Sequence, residues 1–303
     1  MTSPLVQTLT TLLDYIRYAA SRFTEARLHF GHGTATALDE AAALVLFATH
    51  SPANLPGGYF AATLTLEERT AVLDLIDRRI AERKPLAYLT HEAWFAGLRF
   101  YVDERVLVPR SPIAELIERG FSPWLDDSTT AILDLCTGSG CIAIACAHAF
   151  PTARIDAVDI SGDALAVAAL NREQHHLADG VRLIQSDLYD GLEPGVRYDL
   201  IVSNPPYVNR AEWERLPEEY LNEPRLGLES GEDGLDCVRR ILAGACQWLK
   251  ADGVLVVEVG SSAEMLESAY PHLPFLWLEF ERGGDGVFLL TARQLEQAGF
   301  TGS

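Results

Sequence analysis

Between residues 131 and 259, short apolar runs alternate with stretches of helical periodicity, and no other feature restricts the possible folds as much. Strands are predicted at 131–135, 154–158, 181–185, 200–203 and 254–259. Helices are predicted to start at Cys141 and Asp163 and to cover 235–249. Strand, helix, strand in repetition builds a doubly wound, Rossmann-like α/β sheet, because each crossover helix covers a face that the strands cannot leave in water. A last pair of runs, 275–280 and 287–290, flanks Gly283-Gly-Asp-Gly286 and predicts a hairpin that gives the sheet an antiparallel edge.

Upstream the period changes. Leu5, Leu9, Leu12, Leu13, Ile16, Ala19 and Ala20 recur at helical spacing and predict one amphipathic helix over 5–22, with further helices at 39–49 and 66–81. The last opens on Thr65-Leu-Glu-Glu68, a capping-box spacing, and stops before Pro85. Aromatic and β-branched residues then surround Ala96-Gly97 and predict a hairpin over 92–108. These elements divide the chain into a helical domain at 1–90, a hairpin linker at 91–110 and an α/β domain at 111–303.

The net charge of −19 is uneven: residues 1–110 carry 11 Lys+Arg against 12 Asp+Glu, and the remainder 13 against 31. Gripping a phosphate backbone depends on Lys and Arg displacing counterions, so nucleic acid is not an expected partner. A basic protein is. The cysteines, Cys136, Cys141, Cys146, Cys237 and Cys246, are odd in number and form no C-x-x-C pair, which fits a reduced cytoplasm rather than a disulfide framework. The N-terminus lacks a basic, signal-like start, and no apolar run approaches the roughly 18 residues of a membrane span.

The first α/β strand runs through Asp134 into Cys136-Thr-Gly-Ser-Gly140 and then a helix, the turn that lets a ligand approach bare backbone. Asp159 closes the next strand, where a carboxylate can accept ribose hydroxyls. Gly138 to Ala143 also reads as the G-x-G-x-x-A of an NAD site. Asp134 weighs against it, since an anion beside the glycines suits the ammonium and sulfonium of S-adenosylmethionine better than a pyrophosphate. Asp187 and Leu188, after the third strand, are placed to meet the adenine edge and face.

Asn204-Pro-Pro-Tyr207 comes directly after the fourth strand. A planar amide or aromatic amine attacks poorly because its nitrogen lone pair is delocalised, and it offers two N–H groups that need orienting. The Asn204 side-chain oxygen and the Pro205 carbonyl can accept both hydrogens, the prolines fix φ, and Tyr207 can stack on the flat group. Such an in-line transfer depends on positioning rather than a strong base or a metal, and no metal-ligand spacing or G-x-S-x-G elbow is present.

Asp134-Leu-Cys-Thr-Gly-Ser-Gly140, Asp159, Asp187 and Asn204-Pro-Pro-Tyr207 together resemble the N5-glutamine methyltransferases, class I enzymes dependent on S-adenosylmethionine. The resemblance extends to Pro85-Leu-Ala-Tyr-Leu89, Trp94-Phe95, Val106-Leu-Val-Pro-Arg110, Glu223-Pro-Arg-Leu-Gly-Leu228 and Gly231-Glu-Asp-Gly234. It implies that Cys136 to Gly140, Asp159, Leu188 and Asn204 hold the cofactor and that Asn204 to Tyr207 hold a glutamine. One branch of that family modifies release factors, the other ribosomal protein L3 (uL3). Ser111-Pro-Ile-Ala-Glu115, Tyr18-Ala-Ala-Ser-Arg-Phe23 and Gly31-His-Gly-Thr34 resemble the second, as does Cys136 where the family usually has glycine.

Adenine poses the same two-hydrogen problem, so an adenine-N6 methyltransferase is an alternative, as is a non-catalytic module of the same fold. Glu212, Glu214, Glu218, Glu219 and Glu223 outnumber Arg210, Arg215 and Arg225 near the tetrapeptide and predict an acidic rim that attracts a basic protein.

Overall fold

A computed structural model describes residues 4–300, which separate into a smaller helical unit, 4–92 with 217–222, and a larger unit of 93–216 with 223–300.

In the smaller unit the expected helix over 5–22 is broken into Pro4–Thr8 and Leu12–Glu25. The cause is local. Thr11 accepts from the Asp14 N–H while Asp14 accepts from the Thr11 N–H, a reciprocal cap that starts a new helix, and Thr11 also pairs with Thr63. The helices Ala37–Ala48 and Leu66–Glu82 are capped likewise by Thr36 and Thr65, the second through the predicted capping box. Tyr15, Phe23, Leu44, Val72 and Ile76 form their common core.

That core also encloses charge. Arg79 is fully buried and pairs with Glu40 at 2.7 Å and Glu219 at 3.8 Å, both carboxylates being buried as well. Its guanidinium donates to the His29 carbonyl, the His29 N–H donates to Glu219, and Thr34 donates to Glu40. Arg83 reaches Glu219 at 2.8 Å. One ionic knot therefore gathers the 29–34 loop, two helices and the excursion 217–222.

The larger unit begins with strands β1 (Ala93–Phe95) and β2 (Leu98–Phe100), shorter than the hairpin expected over 92–108. Ala96 and Gly97 turn with φ of +48° and +74°, as a tight hairpin requires. Pairing stops at Tyr101 because the Asn171 side chain takes both its backbone groups, at 2.7 and 3.0 Å. The main sheet comprises β3 (Ala131–Leu135), β4 (Arg154–Asp159), β5 (Val181–Gln185), β6 (Tyr198–Ser203), β7 (Leu249–Glu258), β8 (Leu276–Trp277) and β9 (Val287–Thr291). Their order is β5-β4-β3-β6-β7-β9-β8, parallel from β5 to β7, with β9 antiparallel to both neighbours. The predicted α/β sheet with an antiparallel edge is therefore present. Strand β3 is buried throughout, Ile132 packing into one apolar layer and Leu133 and Leu135 into the other.

The order reverses between β3 and β6, and at such a switch point the carboxyl ends of the strands frame a crevice. Register matters here. Leu135 lies opposite Ser203, whose hydroxyl donates to the Leu135 carbonyl at 2.7 Å, so the segments starting at Cys136 and at Asn204 leave the sheet side by side. Among the described residues no helix is long and apolar enough to cross a membrane.

Candidate active site

A cavity of about 390 Å³ opens at this switch point, lined by residues of the larger unit. Cys136, Thr137, Gly138, Ser139, Asp159, Asp187, Leu188 and Asn204 to Tyr207 all face it. Asp134 and Gly140 do not.

Their places explain why. Gly140, at φ +79°, starts the helix Cys141–Ala149, and a Cβ there would lie 3.1 Å from the Ala168 Cβ, so the crossing of two helices demands a glycine. Asp134 sits wholly buried under the turn, where one carboxylate oxygen accepts from the Thr137 hydroxyl at 2.5 Å and the Ala143 N–H at 3.1 Å. The other, Oδ1, has no hydrogen-bond partner among the described residues. Asp159 holds the turn from the opposite side, accepting from the Gly138 and Ser161 N–H groups at 2.9 Å each while still facing the cavity. The loop is thus clasped by two carboxylates.

Burial lifts the Asp134 carboxyl from its ordinary 3.8 to about 7. Because the folded value exceeds the unfolded one, its contribution to stability is complete below about pH 4 and is lost as pH rises through about 7. Asp134→Asn, which mimics the protonated form, is therefore expected to gain melting temperature over the parent by a few degrees between about pH 5 and pH 8. Parallel melting curves across that range would exclude the assignment.

Cys136 adopts φ +59°, the left-handed region that favours glycine. Its Sγ lies 3.9 Å from that of Cys237, which also faces the cavity, and its thiol is pushed well up by that neighbour and by burial. Asp187 pairs with Arg240 at 2.8 Å, so the acid proposed for the adenine edge is already held at one oxygen.

Beside Asn204-Pro-Pro-Tyr207 the sequence reading missed a group. Glu258, the last residue of β7, is buried against the cavity; its Oε1 accepts from the Tyr207 hydroxyl at 3.2 Å and its Oε2 from the Ser111 hydroxyl at 2.5 Å. Burial lifts its carboxyl to about 6. The signal was available: an acid ends the apolar run Val254-Leu-Val-Val257 at the sheet's functional edge. Glu223 is likewise structural at the rim, accepting from the Val108 N–H at 3.0 Å and from Arg110 at 2.6 and 2.8 Å.

Of the five glutamates expected to form an acidic rim, Glu219 and Glu223 are buried in ion pairs and Glu218 pairs with Arg83, while Glu212, which accepts from Ser261, and the exposed Glu214 keep their charge. Sequence reports a charge but not its burial.

The family model described as the methyltransferase small domain matches residues 121–231. The ribosomal protein uL3 glutamine methyltransferase of Neisseria meningitidis serogroup A is 54% identical over 298 residues, 97% of each chain. The enzyme of that name from Bordetella pertussis is 52% identical over 291 residues, 95% of this chain and 97% of its own. A methyltransferase structure from Pyrococcus furiosus aligns at TM-score 0.47 and 18% identity over 65% of this chain and 89% of its own, a likeness too slight to bear on activity. Identity above half across nearly the full length leaves one conclusion, that this chain belongs to the ribosomal protein uL3 glutamine methyltransferase family.

Proposed function

We propose that this protein transfers a methyl group from S-adenosylmethionine to the side-chain amide nitrogen of a glutamine in ribosomal protein L3 (uL3). Family membership supports the reading, and the observation that carries it is the opposed pair Leu135 and Ser203, from which the glycine turn and Asn204-Pro-Pro-Tyr207 enter one cavity.

When bound, S-adenosylmethionine supplies an electrophilic methyl on a sulfonium. The residues fit such a group: the turn at Cys136, Thr137, Gly138 and Ser139 offers bare backbone, Asp159 faces the cavity for the ribose, and Leu188 gives the base an apolar wall. Asp134, whose carboxyl burial lifts to about 7, adds negative charge from beneath when ionised, the form a bound cation favours, through an oxygen that has no other partner among the described residues. At the other end, Asn204 and the Pro205 carbonyl accept the two amide hydrogens and hold the nitrogen's lone pair toward the donor. Tyr207 stacks on the amide plane. With the donor bound, the N–CH3 bond would form as the S–CH3 bond breaks, S-adenosylhomocysteine would leave, and the N–H proton, acidic once the nitrogen is alkylated, would pass to water without a dedicated base.

Among the described residues the helical unit supplies none of the cavity lining, and we assign it to recognition of the protein substrate. With a ribosomal protein as substrate, the place of action is the cytoplasm. Incubating the protein with isotopically labelled S-adenosylmethionine and, in parallel, uL3, a release factor and adenine-containing DNA and RNA, followed by mass mapping, tests the reading. One methylglutamine in uL3 and none in the release factor is expected. Label in the release factor alone, or in nucleic acid, would replace it by one of the alternatives.

A further inference from the structure

Tyr207 is held on several sides by the end of β7 and by residues 260–262 just beyond it. Its hydroxyl donates to Glu258 at 3.2 Å, and its carbonyl accepts from the Ser262 hydroxyl at 2.8 Å. Its ring lies against Gly260, where a Cβ would come within 2.6 Å of the ring Cε2, and Gly260 turns with φ +45°. A larger residue would displace the ring whatever its rotamer. The second oxygen of Glu258 accepts from Ser111 at 2.5 Å, so one carboxylate joins the tetrapeptide to the segment that carries Arg110. Both hydroxyls donate to Glu258 in its ionised form, which burial opposes most and Asp285 slightly, and which the two hydroxyls themselves and Arg110 favour.

We infer that Glu258 is a positioning residue for the transfer: its carboxylate fixes the plane of the Tyr207 ring, and through it the plane of the substrate amide. The inference rests on the reading that Tyr207 stacks on that amide. An amide tilted away from in-line approach reacts more slowly although it stays bound, so the effect belongs in kcat rather than in binding. Glu258 does not touch the substrate in this scheme and acts through tyrosine alone.

Full-length Glu258→Leu keeps the bulk and removes both acceptors, so the Tyr207 hydroxyl loses its partner. Its kcat on uL3 is expected to fall by about 10- to 100-fold, with KM and the calorimetric Kd for S-adenosylhomocysteine changed by less than about threefold. Glu258→Gln, whose oxygen can still accept from Tyr207 while its NH2 donates to the Ser111 oxygen, should recover most of that loss. Tyr207→Phe removes the same bond as Glu258→Leu, so the two together should lose no more than the worse single variant. Gly260→Ala, which pushes on the ring, should lower kcat in the same way. An unchanged kcat in Glu258→Leu, no recovery in Glu258→Gln, losses that multiply in the double variant, or a loss confined to KM would each overturn the inference. Parent activity is measured first: a parent that modifies no glutamine ends the proposed function itself, whereas an active parent with an indifferent Glu258→Leu ends only this step.

Discussion

Alanine at Asn204 is expected to lower kcat by about 10²- to 10³-fold while changing the Kd for S-adenosylhomocysteine by less than about threefold. The size reflects the group that is lost. An amide nitrogen is nucleophilic only when its hydrogens are held so that its lone pair points at the methyl carbon, and Asn204 supplies one of two acceptors for that purpose. Removing one preorganised hydrogen-bonding group from a reacting centre typically costs about 3 to 4 kcal/mol of transition-state stabilisation. The prolines limit collateral damage, since Pro205 and Pro206 set the loop's φ angles whatever side chain precedes them. Single-turnover methylation and calorimetry on the same preparation check the split. Equal losses in turnover and cofactor binding would mean that Asn204 serves the cofactor and not the glutamine.

A second large effect lies far from the chemistry. Arg79→Ala is expected to destabilise the smaller unit by about 3 to 5 kcal/mol, because it strands the buried Glu40 carboxylate without its cation and leaves the buried Glu219 to Arg83 alone. The two are fully enclosed and cannot rehydrate without opening the helical core. Urea titration followed by circular dichroism reads the change. The triple replacement Arg79→Met, Glu40→Leu, Glu219→Leu should recover only part of the loss, since the apolar set itself needs no partners but Arg83, the His29 N–H and the Thr34 hydroxyl lose their acceptors. If Arg79→Ala melts like the parent, the cluster is hydrated in solution and the assignment of a buried knot is wrong.

Features that depend on neighbours in sequence were legible. Strand and helix periodicity gave the sheet, Thr65 and Glu68 gave a helix start, and the glycine turn and Asn204-Pro-Pro-Tyr207 were visible by composition alone. The features that escaped depend on partners distant in the chain. Glu40, Arg79 and Glu219 are 39 and 140 positions apart, and nothing local distinguishes Glu219 from its exposed neighbour Glu218. Glu258 pairs with residues 51 and 147 positions upstream. The break at Thr11 is the exception: its cap was readable in Thr11-Leu-Leu-Asp14, but a continuous apolar period masked it.

The excursion at 217–222 has a practical consequence. Because those six residues belong to the helical unit, through Glu219, although they lie between two stretches of the α/β unit, the protein cannot be divided by a single cut. A fragment ending near residue 92 leaves Arg79 and Arg83 facing an empty seat where Glu219 belongs, and a fragment starting there carries a buried acid with no host. Anyone dissecting the two halves should expect insoluble pieces unless the hexapeptide is supplied to the first and bridged out of the second.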